Sequence, residues 1–197
     1  MSTNSQSMNV AEALQVLVDL RDPSQAVITN QGSAREWPKL CQSDLDFHYI
    51  PSAMGGAIPF ALGLALAQPN RHILVCSGDG SLLKNLGCLV TVAAAAAENL
   101  TIALLDNGVY EVTGCQKTAG SQAEVDFAGL ARSAGIKTVR EFTDHSSWQQ
   151  SGQEFIAAPG PRFVWLKVEP VRENFLLDPP CPISEQLERL SGALQQG

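Results

Sequence analysis

Residues 77–110 read SGDGSLLKNLGCLVTVAAAAAENLTIALLDNGVY. The apolar run that leads into them, His72 to Cys76, ends in Ser77-Gly78-Asp79-Gly80 and passes directly into helix-forming sequence. A second apolar run, Leu100 to Leu105, ends in Asp106-Asn107-Gly108. Two short β-type runs separated by a helical stretch predict a βαβ unit with parallel strands. In a parallel sheet both carboxyl ends lie on one edge, which brings Asp79 and Asn107, 28 residues apart, side by side. Open α/β sheets bind their ligands along that edge.

The residue types narrow the ligand. Gly78 and Gly80 let a backbone approach closely, and the Ser81 amide opens a helix, where N–H groups and the dipole favour a phosphate. A carboxylate and an amide oxygen are hard donors that suit Mg²⁺, which binds through a few protein oxygens plus substrate phosphates and water. Asp79 by itself repels a phosphate; a metal between them turns repulsion into attraction. Gly, Asp and Asn also populate plain strand-end turns, so either tripeptide alone fits that reading. Flanking one helix, the two together point to a diphosphate held through magnesium.

A second turn of the same kind lies upstream. Gln25 to Thr29 reads as a strand and ends in Asn30-Gln31-Gly32-Ser33 before a helical stretch, so Ser33 suits both a helix cap and an anion donor. Arg35-Glu36-Trp37 leads into a polar, irregular segment through Asp46. Pro51 and Gly55-Gly56 then mark residues 48–59 as a shaped loop, in which Met54 alone fits a core-filling methionine. Residues 57–67 form a small-residue helix, and the alanine-rich 87–97 reads as a buried helix against the sheet or a second subunit. Lys84 either faces a phosphate or is solvated.

Elsewhere, residues 8–21 predict a helix with Ser7 as its cap and Asp22-Pro23 as its stop. Residues 108–120, rich in glycine and small side chains, read as a mobile loop. Helices at 126–134 and 146–157 alternate with strands at 138–142 and 162–168. Pro170, Pro179, Pro180 and Pro182 form an extended arm, and a closing amphipathic helix presents Leu187, Leu190 and Leu194 to the body or to a partner. The expected architecture is a doubly wound parallel α/β sheet over 1–170, followed by an arm and helix over 171–197.

The 197 residues are long enough to bury one core. A net charge of −7 argues against nucleic acid or an anionic membrane surface as partner. No run spans a bilayer, the polar start is unlike a signal peptide, and five cysteines without a CxxC pair read as reduced thiols. A cytoplasmic protein is expected.

The GDG turn followed by an Asn-containing turn resembles the motif of thiamine diphosphate (ThDP) enzymes. Within that superfamily, GDGSLLKNLG and LLDNGVYEVTG are most similar to the sulfopyruvate and phosphonopyruvate decarboxylases, as are Gln116 and Thr118. The usual Asn-Asn of the second turn is Asp106-Asn107 here, a variant that this branch resembles. The resemblance covers about 25–120, and more loosely reaches 168. It implies a diphosphate-binding (PP) domain whose Mg²⁺ is held by Asp79, Asn107 and the Val109 carbonyl, with diphosphate oxygens and a water completing the shell. It further implies cofactor contacts from Gly32, Ser33, Gly78, Gly80, Ser81 and Val112, with Ser33 offering its hydroxyl to the diphosphate. Residues 52–55 resemble the family's G-S-M-G segment: Met54 becomes the wedge between the cofactor's rings, and the Ser52 carbonyl and Met54 amide bond the pyrimidine edge. Ser52-Ala53 departs from the family's Gly-Ser.

The activity so implied is decarboxylation of a small-molecule 2-oxo acid. Such enzymes activate the aminopyrimidine with a glutamate on a separate pyrimidine-binding domain, and neither Glu98 nor Glu111 occupies a position resembling it. The expected partner is a pyrimidine-binding, α-type subunit, with a homodimer of this chain inside a hetero-oligomer. Two rivals share the cofactor: a β-type subunit of a 2-oxoacid oxidoreductase, which usually carries cluster-spaced cysteines not found here, and a non-catalytic regulatory subunit. No G-x-G-x-x-G supports a dinucleotide domain. Of the histidines, His48 alone falls near the proposed cofactor.

Overall fold

The computed structural model describes residues 8–171 and 179–196. In chain order the elements are α1 (Val10–Asp19), β1 (Ala26–Asn30), α2 (Gln31–Leu40), β2 (Asp46–Tyr49), α3 (Ala57–Ala67), β3 (Ile73–Gly78), α4 (Asp79–Leu83), α5 (Cys88–Ala95) and β4 (Leu100–Asp106). A short hairpin, β5 (Val109–Tyr110) with β6 (Gln116–Lys117), leads to α6 (Ala119–Gln122), α7 (Phe127–Ser133), β7 (Thr138–Phe142), α8 (His145–Ala157), β8 (Arg162–Lys167) and α9 (Ile183–Leu194).

Six parallel strands build one sheet in the order β2-β1-β3-β4-β8-β7. Their runs are apolar on both faces because helices cover both. Ile28, Val75, Ile102 and Phe163 face a layer containing Ala61, Leu89, Phe127 and Leu190, on α3, α5, α7 and α9. Val27, Leu74, Ala103 and Val164 face the opposite layer, with Leu14, Trp37 and Trp148 on α1, α2 and α8. The expected doubly wound α/β architecture is present.

The chain leaves β1 for β2 on one side, then crosses to β3 on the other. The carboxyl ends of β1 and β3 therefore flank the topological switch point, where open α/β sheets form a ligand crevice. Register fixes what arrives there: Gly78 lies opposite Leu105, so Asp79 and Asp106 emerge level with each other, while Thr29 lies opposite Cys76, which brings Asn30 beside Ser77.

Several local expectations are corrected. Ser7 lies outside the described residues; Asn9 caps α1, its side chain accepting from Glu12 N at 2.9 Å while Glu12 accepts from Asn9 N. A strand, β2, starts at Asp46, the expected end of the irregular segment, and takes in His48 and Tyr49, the expected start of a shaped loop. Its polar residues are buried because partners far away in sequence satisfy them: Arg21 binds Asp46 at 2.6 Å, and Thr29 lies 2.8 Å from His48 Nδ1. The alanine-rich helix is buried on one side only. Cys88, Leu89 and Val92 of α5 enter the core, whereas Val90 is 58% exposed. The closing helix docks on the body through Leu190, while the Gln186 side chain accepts from the His48 N–H at 2.8 Å.

Candidate functional site

A cavity of about 270 Å³ opens at the switch point. The turn after β1 contributes Asn30, Gln31, Gly32 and Ser33, the turn after β3 contributes Gly78 to Ser81, and β4 and its hairpin contribute Asn107, Val109 and Val112. Ser52 and Met54 reach the same cavity from the loop before α3. Every cofactor and metal residue expected from the sequence thus lines one space.

Asp79 opens α4 and is 1% exposed. Burial pushes its carboxyl up to about 6; the Thr118 hydrogen bond opposes the shift and the Asp106 charge adds to it. A carboxylate so desolvated gains from a neighbouring cation. Gly80 is dictated by close approach, because a Cβ there would lie 2.4 Å from the Tyr110 ring. The Tyr110 ring in turn carries Lys84 Nζ 5.6 Å from its centroid, which directs that lysine to the aromatic face.

The second turn is shaped by its own side chains. Asp106 Oδ1 accepts from Gly108 N at 3.1 Å and Oδ2 from the Trp165 indole at 2.9 Å. Asn107 Oδ1 accepts from Val109 N at 3.0 Å, which leaves this oxygen one further lone pair. Gly108 has φ +70°, a backbone state that favours glycine.

Ser33 sits as expected, but its hydroxyl is engaged elsewhere. It donates toward the carbonyls of Asn30 at 2.7 Å and Cys76 at 3.1 Å, tying the ends of β1 and β3 together. Met54 is 38% exposed at the cavity rim, so it fills no core. Ser52 Oγ accepts from Gln31 Nε2 at 2.8 Å, joining the two loops beside it. His48 does not line this cavity; it belongs to the polar cleft between β2 and α9.

Three further contributors have no binding role in the sequence reading. Asn30, 1% exposed, donates from Nδ2 to Ser81 Oγ at 3.1 Å, and the Gly55 N–H donates to the same oxygen at 3.0 Å. The Asn30 Oδ1 is buried without a hydrogen-bond partner among the described residues, a state that favours a bound group able to supply a donor. Glu111 faces the cavity from the hairpin loop, and its Oε1 accepts from Val171 N at 2.7 Å. Thr118 stands behind Asp79 and donates to its Oδ2 at 2.7 Å. In the sequence Asn30 reads only as a strand end and Thr118 only as part of the Gln116/Thr118 pattern, since both act through partners 51 and 39 residues away.

The donor set suits a metal that borrows ligands from a phosphate. Among the described residues no group of three His, Cys, Asp or Glu side chains can hold a metal alone. One carboxylate, one amide oxygen and nearby carbonyls are what Mg²⁺ takes when phosphate oxygens complete its shell. First-turn amides of α2 and the glycine-lined turn after β3 suit the phosphates themselves. The residues therefore fit a metal–diphosphate group.

Comparison with known proteins agrees. The chain is 37% identical over 161 residues to a phosphonopyruvate decarboxylase of Streptomyces viridochromogenes, covering 82% of this chain and 40% of that one. It is 41% identical over 145 residues to a sulfopyruvate decarboxylase subunit beta of Methanothermobacter thermautotrophicus, covering 73% of this chain and 74% of the other. The benzoylformate decarboxylase structure from Polynucleobacter necessarius superposes with a TM-score of 0.72 at 16% identity, over 90% of this chain and 36% of that one, which shows the shared fold. The chain thus spans about 40% of the length of the phosphonopyruvate decarboxylase it matches. The family described as thiamine pyrophosphate enzyme, C-terminal TPP binding domain, matches residues 32–166. With well over half its length matched, this chain belongs to that family and is a thiamine diphosphate-binding domain.

Proposed function

We propose that the chain supplies the diphosphate- and metal-binding half of a ThDP-dependent 2-oxo acid decarboxylase of the sulfopyruvate or phosphonopyruvate type. The observation that carries this reading is the convergence of Asp79, Asn107 and the two glycine-containing turns on one cavity at the switch point. Asp79, Asn107 and the Val109 carbonyl hold Mg²⁺. Backbone groups of Gly32, Ser33, Gly78, Gly80 and Ser81 hold the diphosphate. The Ser33 hydroxyl braces the two strand ends rather than the ligand.

Bound ThDP supplies an electron sink for loss of carbon dioxide from a 2-oxo acid, and the protein supplies position and electrostatics. Met54, at the rim, sets the angle between the cofactor's rings. The Ser52 carbonyl and Met54 amide orient the pyrimidine edge, and Val112, 47% exposed, covers the cofactor from the hairpin loop. A pyrimidine-binding partner closes the remaining wall and brings the activating glutamate. The assembly pairs copies of this chain within a hetero-oligomer of the cytoplasm. No described helix is long and apolar enough to cross a membrane.

Equilibrium dialysis of the full chain against ThDP, with and without Mg²⁺, tests the cofactor assignment. Wild type should retain ThDP only with the metal, and Asp79→Ala should lose retention while keeping its circular dichroism spectrum. Normal retention by Asp79→Ala removes the basis for the metal site.

A further inference from the structure

One residue ties the two expected metal-ligand turns together. Thr118, 0% exposed, follows β6 and caps α6, accepting at Oγ1 from Ser121 N at 3.1 Å. With that bond accepted, its hydroxyl proton is directed to Asp79 Oδ2 at 2.7 Å. Its backbone N–H donates to the Gly108 carbonyl at 2.9 Å, between Asn107 and Val109. Val109 itself pairs with Lys117, the neighbour of Thr118, across the hairpin. A single residue thus touches the first turn through its side chain and the second through its backbone.

We propose that Thr118 is the positioning residue of the cation site: its hydroxyl holds Asp79 in one orientation, and its amide holds the Asn107–Val109 turn at a fixed place beside it. This rests on the metal–diphosphate reading above. The bond commits Oδ2 of Asp79 and leaves Oδ1, which has no side-chain hydrogen bond among the described residues, for the cavity that Asp79 lines. Mg²⁺ demands near-octahedral geometry, so a carboxylate free to rotate is a poorer ligand than one held in place. Groups that orient a metal ligand from behind typically change metal affinity by roughly 10–100-fold. Packing assists: the Thr118 methyl lies 3.3 Å from where a Cβ on Gly80 would be, so it also abuts the GDG turn.

The hydroxyl and the methyl make separable predictions. Full-length wild type, Thr118→Val, Thr118→Ala and Thr118→Ser are titrated with Mg²⁺ at fixed ThDP, reading ThDP retention, and each is melted without ligand. Thr118→Val and Thr118→Ala should raise the half-saturating Mg²⁺ concentration by roughly 10–100-fold. Thr118→Ser should stay near wild type. Thr118→Ala only removes atoms, so it decides the matter if the melt shows that valine does not fit. Wild-type Mg²⁺ dependence in the alanine or valine variant overturns the proposal, as does a serine variant no better than alanine, which would make the methyl the active part. Absence of Mg²⁺-dependent retention in wild type is a different result: it overturns the cofactor reading itself, and the positioning role with it.

Discussion

Met54 shows how exposure separates two readings of one residue. A methionine that fills a core is buried, yet Met54 is 38% exposed beside a cavity. Truncating it therefore removes little packing from the isolated chain. Met54→Ala is expected to melt with wild type and to keep its Mg²⁺-dependent ThDP retention, since the diphosphate contacts lie elsewhere. Turnover in the assembled enzyme should fall by about 100-fold, the scale of loss when reacting groups are held slightly out of place. Wild-type turnover would reduce Met54 to a rim residue without a positioning role. The site was legible in the sequence wherever a residue acts through its own turn: Asp79, Asn107 and the glycines announce themselves by spacing. Thr118 was legible only through the Gln116/Thr118 pattern and Asn30 only as a strand end, because their bonds to Asp79 and Ser81 are contacts that only the folded sheet creates. Ser33 was legible as a turn residue but not in its direction, since the Cys76 carbonyl that draws its hydroxyl belongs to another strand.

At the scale of elements, β2 is the strand that sequence pattern conceals. Strands β1, β3, β4 and β8 declare themselves as apolar runs, whereas β2 reads Asp-Phe-His-Tyr and buries two titratable groups. The Arg21–Asp46 pair satisfies one of them, at 7% and 2% side-chain exposure. The other, His48, is held between Thr29 on β1 and the helix α9, and burial, reinforced by the charges of Arg189 and Arg21, lowers its pKa to about 4. The sign of the stability effect follows. Below about pH 6.5 the unfolded chain takes up a proton that folded His48 refuses, so stability is fully present above that pH and drains away as pH falls toward 4. Between pH 7 and pH 5 this one group removes about 2 kcal/mol. Urea unfolding at both pH values should show wild type losing that much more than His48→Gln; equal losses would mean that His48 titrates normally in the folded chain.

At the scale of the whole molecule, the proposed function makes the site a half-shell that a partner completes. The cavity is lined on the sheet side by the β1, β3 and β4 turns, while Met54 and Val112 stand exposed at its rim. Nearby helices carry apolar groups that the body does not cover: Phe60 is 37% exposed and Leu66 56% exposed on α3, and Val90 is 58% exposed on α5. On the proposed function, these uncovered faces are the expected seat of the partner. The phosphonopyruvate decarboxylase of which this chain spans 40% has sequence beyond the matched part. Glu111 offers no substitute for the activating glutamate, since its Oε1 is taken by the Val171 N–H at 2.7 Å. These 197 residues alone are therefore expected to bind Mg²⁺ and ThDP but to release no carbon dioxide from sulfopyruvate or phosphonopyruvate. Adding a pyrimidine-binding chain should bring activity. A charge placed on the contact helices, as in Phe60→Glu with Val90→Glu, should abolish that gain and the co-elution of the two chains while leaving the ligand-free melt unchanged. The assay is carbon dioxide release with the chain alone, with its partner, and with the doubly charged variant plus partner. Full activity from the chain alone would show that the half-shell is a complete active site, and activity in the charged variant would place the partner on another face.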